Sequence, residues 1–114
     1  MAILDTAILD DLRELDRDGQ SGFLRQIIAV FEEQADEIIA DLGTAAANDD
    51  ETQLANLAHK LKGSARTVGA IELGNHCERL EHEARRGDLA QLATRLEEIA
   101  ASVTRARASL REQL

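Results

Sequence analysis

No proline occurs anywhere in the 114 residues. Proline is the residue that removes a helical hydrogen bond and clashes with the preceding turn, so nothing here breaks a helix from within. The aromatic residues that favour strands are nearly absent as well: there are two phenylalanines and no tyrosine or tryptophan. Together these scarcities predict an all-α chain. Hydrophobic residues make up 44% of the sequence and supply a core, and the 31% that are charged are spread through that apolar background, which excludes a disordered tail. The length corresponds to a single domain, residues 1–114.

Apolar spacing at about 100° per residue divides the chain into five helices. Leu4, Ile8, Leu12 and Leu15 share one face of a short first helix, which starts at Asp5 or Thr6 and ends at Asp18-Gly19. Ser21 caps a second helix whose stripe is Phe23, Ile27, Phe31, Ile38 and Leu42, widened by Leu24, Ala35 and Ile39; it stops at Gly43 or runs on to Ala47. After the break at Asn48-Asp49-Asp50, the pair Asp50 and Gln53 reads as a capping box for a third helix over 51–68. Gly69 interrupts the pattern. A fourth helix over 70–86 buries Leu73, Cys77, Leu80 and Ala84. Gly74 within it costs about 1 kcal/mol relative to alanine, and a close contact with another helix is the expected reason for it. Gly87-Asp88 leads into a fifth helix, with Asp88 and Gln91 as a second capping box and Leu89, Leu92, Leu96, Ile99, Val103, Ala106 and Leu110 on one side. Four long amphipathic helices joined by short turns predict an antiparallel up-and-down four-helix bundle, with the short extra N-terminal helix covering one end.

Thirteen Lys and Arg against 22 Asp and Glu leave a net charge of −9. That balance argues against a nucleic-acid partner, because grip on a phosphate backbone needs positive charge. The one cysteine, Cys77, permits no internal disulfide and makes no zinc site. The opening MAILDTAILD lacks the basic region of a secretory signal, and no apolar run approaches the ~18 residues of a membrane span. A soluble cytoplasmic protein without a membrane partner is expected. It is expected to be monomeric, because its apolar stripes close one bundle.

The chemistry concentrates in the third helix, LANLAHKLKGSARTVGA over 54–70. With His59 set at 0°, the apolar Leu54, Leu57, Leu61, Ala65 and Val68 fall between about 160° and 240°. His59 therefore points away from the core. Lys62 lies at about 300°, Arg66 at about 340° and Gly63 at about 40°, so the histidine is flanked by two cations and by a residue with no side chain. A neutral imidazole, with an unperturbed pKa of about 6.5, is a nucleophile near neutrality. Attack on a phosphoryl group gives a covalent phosphoimidazole, whose oxygens carry a charge of nearly −2 and need donors. Lys62 is placed to supply an ammonium and Arg66 a second cation, while Gly63 and Ala55 leave room for the incoming group. Asn56 and Lys60 fall on the rim that a partner meets.

Taken alone, an exposed helical histidine is a surface residue, and solvated cations are the fallback reading of Lys62 and Arg66. Position 59 stands out through Lys62, Gly63 and the sequence around them. His82 also faces outward, but Glu81 and Glu83 adjoin it and no Lys-Gly pair follows. His76 sits at the edge of a buried stripe and diverges by about 100° from Cys77, so the two make no metal site. Cys77 reads as a small core residue, and Ser64, at about 140°, as a packing or backbone-bonding residue.

The run His59-Lys60-Leu61-Lys62-Gly63-Ser64-Ala65, followed by Val68-Gly69-Ala70, resembles the signature of histidine-containing phosphotransfer (HPt) domains. The likeness continues through Leu73, Cys77, Leu80-Glu81, Ala84-Arg85 and Gly87-Asp88, and covers the helix around Phe31. Thr67 departs from the asparagine often found there, and Arg66 is an unusual charge so near the site; both are expected to affect partner choice more than chemistry. The resemblance implies a phosphorelay intermediate. His59 would accept a phosphoryl group from a receiver-domain aspartate, or from a histidine kinase, and pass it to another receiver aspartate. It also implies a phosphocarrier rather than an enzyme, with no cofactor or metal of its own, the acidic pocket and Mg²⁺ belonging to the receiver. The partners so implied are response-regulator receiver domains and a hybrid sensor histidine kinase. A helical adaptor that regulates a kinase or receiver by docking alone is the competing reading. A third is the phosphorylatable domain of a larger histidine kinase; the chain contains no G-x-x-x-x-G-K phosphate loop and runs from Met1 to just past its last helix, so a free-standing protein is expected.

Overall fold

In a computed structural model that describes residues 2–15 and 22–114, five helices follow one another, with no strand among the described residues. They are α1 (Thr6–Leu15), α2 (Phe23–Ala47), α3 (Glu51–Thr67), α4 (Ile71–Arg85) and α5 (Leu92–Glu112). Each of α2 to α5 packs on its neighbour in sequence, and α5 returns to α2 to close the ring. Ion pairs across the seams give the directions. Glu32 and Asp36 on α2 meet Arg111 and Arg107 on α5 in reversed order, and Glu72 and Glu83 on α4 meet Arg105 and Arg95 in the same reversed sense. The antiparallel four-helix bundle predicted from the apolar spacing is the observed architecture.

The α3 stripe Leu54, Leu57, Leu61, Ala65 and Val68 is buried, as are Leu73, Cys77, Leu80 and Ala84 of α4 and Ile99, Val103, Ala106 and Leu110 of α5. Burial pushes the Cys77 thiol up to about 12, so it remains a neutral core residue. Asp50 caps α3 by accepting from the Gln53 amide at 3.0 Å. The turn from α3 to α4 is a Schellman motif: Ala70 N donates to Ala65 O and Gly69 N to Arg66 O, with Gly69 at φ +75°. Gly69 is also a docking point, since its carbonyl accepts from Asp5 N at 2.7 Å and thereby fixes the start of α1 against that end of the bundle. At the far end of α1, Arg13 donates to Gln113, just past α5. The short helix therefore covers one end, as expected.

The structure corrects several details. At α1, Leu4 and Leu12 of the predicted stripe pack half-buried against the core, but Leu9 is the fully buried residue and Leu15 is 73% exposed. The chain enters α1 tied to Gly69 through Asp5 and leaves it tied to Gln113 through Arg13, contacts with other elements that its own apolar spacing does not reveal. In α2, Leu24 and Ile28 join Phe31, Ala35, Ile38 and Leu42 inside, while Phe23 and Ile27 are half-buried. This helix runs through Gly43 to Ala47. The capping box at Asp88 and Gln91 does not form. Asp88 Oδ1 accepts instead from Ala90 N at 3.2 Å, and α5 begins at Leu92 behind Gln91, which makes no side-chain cap. The expected end of the first helix at Asp18-Gly19 and the Ser21 cap lie outside the described residues.

Candidate functional site

Burial of the α3 stripe turns His59 outward, and its side chain is 63% exposed. It does not stand alone. Nδ1 lies 3.0 Å from Oε2 of Glu81 on α4, a carboxylate only 8% exposed. Lys62 Nζ donates to the other oxygen, Oε1, at 2.6 Å. Arg85, one turn beyond Glu81, donates to Oε2 from both Nε at 3.2 Å and Nη2 at 3.0 Å. Burial by itself raises the Glu81 carboxyl, but the hydrogen bonds from Lys62 and Arg85 and the charges of Lys62 and His59 outweigh it and hold the group at about 2. Glu81 is therefore ionised at neutral pH and can only accept. That decides the imidazole tautomer: Nδ1 carries the proton and Nε2 keeps the lone pair.

Gly63 stands beside this pair in open space, with no atom within 4 Å of where a Cβ would sit. Its position is not explained by packing against another helix. Gly74 is: a Cβ there would lie 3.3 Å from Cγ and 3.4 Å from Nε of Arg66. The Arg66 stem lies across Gly74, and its guanidinium meets Glu78 at 3.4 Å, so the second cation expected at the phosphoryl group is directed to α4 instead. Asn56 and Lys60 are exposed, as a rim requires. Ala55 is a correction. It is 1% exposed and belongs to the core, so it does not widen access to His59. The reason is the α3–α4 seam: Ala55 lies on the same side of α3 as Lys62, the side that packs against α4. Ser64 bonds to Gln34 of α2 at 2.8 Å.

Glu81 and Arg85 were not assigned roles from the sequence. The available signal was an acidic residue directly after buried Leu80 with a basic residue four positions on, but nothing in it names a histidine 22 residues upstream. On the other side of α3 lies a groove of about 550 Å³, lined in part by Phe23, Ile27, Val30, Ser64, Thr67 and Val68. Among the described residues no group of three His, Cys, Asp or Glu side chains is placed to hold a metal ion, and no helix is long and apolar enough to cross a membrane.

Comparison with known proteins bears on the fold and the family. The chain is 35% identical over 80 residues to multistep phosphorelay regulator 1 of Schizosaccharomyces pombe, covering 70% of this chain and 27% of that protein. It is 28% identical over 80 residues to phosphorelay intermediate protein YPD1 of Candida albicans, covering 70% of this chain and 43% of that one. It thus spans less than half the length of either relative. Among solved structures, histidine-containing phosphotransfer protein B (HptB) of Pseudomonas aeruginosa PAO1 superposes with a TM-score of 0.89 at 26% identity, over 97% of this chain and 93% of that one. A putative histidine-containing phosphotransfer protein from rice shares the fold, with a TM-score of 0.85 at 19% identity over 97% of this chain and 80% of that one. Residues 26–109, which include His59, Lys62, Gly63 and Glu81, match the family model of the Hpt domain. By that match the chain belongs to the Hpt domain family, the histidine-containing phosphotransfer domains.

Proposed function

We propose that this protein is a phosphorelay intermediate and that His59 is its phosphoryl acceptor. The observation that carries the reading is the outward imidazole, 63% exposed, whose Nδ1 is held by an ionised, buried carboxylate. The Nε2 lone pair forms a bond to phosphorus while the bond from phosphorus to the donor aspartate breaks, its electron pair staying on that carboxylate. The ring then carries a positive charge at Nδ1–H, which Glu81 stabilises. Transfer to the next receiver reverses these changes. Little else is needed from this chain, because phosphoryl transfer depends mainly on positioning and charge. In this reading the receiver supplies its own acidic pocket and Mg²⁺, and the protein acts as a carrier, not an enzyme.

Lys62, 15% exposed and one turn from His59, is the cation for the transferred oxygens. Gly63 leaves the approach open. The apolar groove beside α3, where Val30 is 53% exposed, gives the receiver a surface to rest on. Asn56 and Lys60, both exposed, form the rim around His59. Charges there steer encounter and reject wrong partners more than they add affinity.

The test is phosphoryl transfer from a panel of labelled, phosphorylated receiver domains to the wild type and to His59→Gln. The expected outcome is an acid-labile, base-stable label on the wild type and none on the variant, with the same helical circular dichroism. A panel that binds the wild type and His59→Ala equally and labels neither identifies a docking adaptor instead.

A further inference from the structure

Glu81 carries more donors than holding one imidazole requires, and its two oxygens are used differently. Oε2 accepts from His59 Nδ1 and from both Nε and Nη2 of Arg85, whereas Oε1 accepts from Lys62. Lys62, one turn along α3 from His59, is also the ammonium on hand for a phosphoryl group on Nε2, and a phosphoryl group carries more charge than a carboxylate. It cannot be fully committed to both. If Lys62 turned to the phosphoryl oxygens and nothing replaced it, a carboxylate 8% exposed would lose its main counter-ion. Leaving a buried charge under-compensated is strongly unfavourable, so Lys62 would stay where it is.

We infer that Arg85 is a positioning residue of this site: it keeps Glu81 fixed and neutralised through Oε2, which frees Lys62 to pass from Oε1 to the phosphoryl group. The inference rests on the reading of His59 as phosphoryl acceptor. Before transfer, Lys62 and Arg85 share the carboxylate. After transfer, Lys62 holds the phosphoryl oxygens, and Glu81 is held by Arg85 and by the charged Nδ1–H of the ring. Arg85 is suited to this because its fork places two donors on one oxygen. Its side chain is 51% exposed, so its replacement leaves the core untouched.

The experiment is a double-mutant cycle on the lifetime of the phosphohistidine. The purified chain is loaded with phosphoramidate, a small phosphoryl donor to imidazoles, and decay is followed by phosphorus NMR. His59→Gln identifies the signal, and circular dichroism checks folding. Arg85→Ala is expected to shorten the lifetime about fivefold, and Arg85→Lys to restore most of it. In the Glu81→Gln background no charge competes for Lys62, so adding Arg85→Ala is expected to change the lifetime by less than about twofold. An unchanged lifetime in Arg85→Ala overturns the inference. So does equal shortening in both backgrounds, which means that Arg85 touches the phosphoryl group itself or only supports the helix. A wild type with no His59-dependent signal overturns the reading of His59 together with this inference, whereas a labelled wild type with no coupling sinks the inference alone.

Discussion

Position 63 is unfavourable for helix stability, and in the proposed function its lack of a side chain keeps the approach to His59 open. Glycine in a helix interior is less stable than a residue with a side chain by about 0.5–1 kcal/mol, and no atom lies within 4 Å of the place where a Cβ would stand. Gly63→Gln should therefore raise the melting temperature slightly while sharply reducing labelling from a receiver and sparing labelling by phosphoramidate. A variant labelled normally by the receiver would remove Gly63 from the approach path. Glu81 makes the opposite link between site and stability. Its carboxyl is held at about 2 against an ordinary 4.5, so the unfolded chain takes up this proton at a higher pH than the folded chain does. The stabilisation is complete above the ordinary value and is lost as pH falls toward about 2. Glu72, whose carboxyl is also lowered, adds to the same acid-side loss. Denaturant unfolding should show the wild type losing more stability between about pH 6 and about pH 3 than Glu81→Gln does; equal losses would mean that Glu81 is not so held.

Where the helices end, the sequence was readable in some places and misleading in others. Gly69 and Gly87 both mark αL residues just past a helix, at φ +75° and +70°. Gly69 has a second constraint, since a Cβ there would stand 2.9 Å from the carbonyl oxygen of Asp5. Gly69→Ala is expected to destabilise by about 2 kcal/mol or more, with αL strain and the clash adding, as read by thermal unfolding. Loss of the α1 packing should accompany it. The pairs Asp50 with Gln53 and Asp88 with Gln91 look identical in sequence, yet only the first caps a helix. The difference is tertiary. The segment after Gly87 makes its own short turn, with Leu89 packed half-buried against the core, and this delays the start of α5 to Leu92.

At the scale of the whole molecule, the longest dimension is 48 Å, more than the roughly 38 Å of a 25-residue helix, which fits α1 lying over one end of the bundle rather than beside it. The net charge of −9 is unevenly arranged. The arginines of α5 are paired with carboxylates of α2 and α4 and of α5 itself, and Arg95, 7% exposed, bridges Glu83 and Glu98. These pairs belong to the side of the bundle built from α5, away from the α3 face that carries His59. Large exposed apolar side chains among the described residues are Leu15, Val30, Ile71 and Leu114, each from a different part of the chain. Among the described residues these four do not form one continuous apolar face. We predict that sedimentation gives a single species near 12.5 kDa; a species of twice that mass would overturn the prediction.

The sequence by itself determined the all-α class, the number and order of the helices and the outward direction of His59. Each follows from the spacing of apolar residues within one helix, and that spacing is local. It also placed Lys62 and Gly63 beside His59, because they lie within a turn of it. What surrounds that face was decided only by tertiary structure. Leu9 is buried and Leu15 exposed in a helix tied at its two ends to Gly69 and Gln113, which lie in other elements. Ala55 is closed over by the α3–α4 seam, and Arg66 is drawn across Gly74 to Glu78. Above all, Glu81 meets His59, Lys62 and Arg85 at one carboxylate. That meeting depends on the relative rotation and height of two packed helices, which side chains from both must settle together, and neither helix's own periodicity contains it.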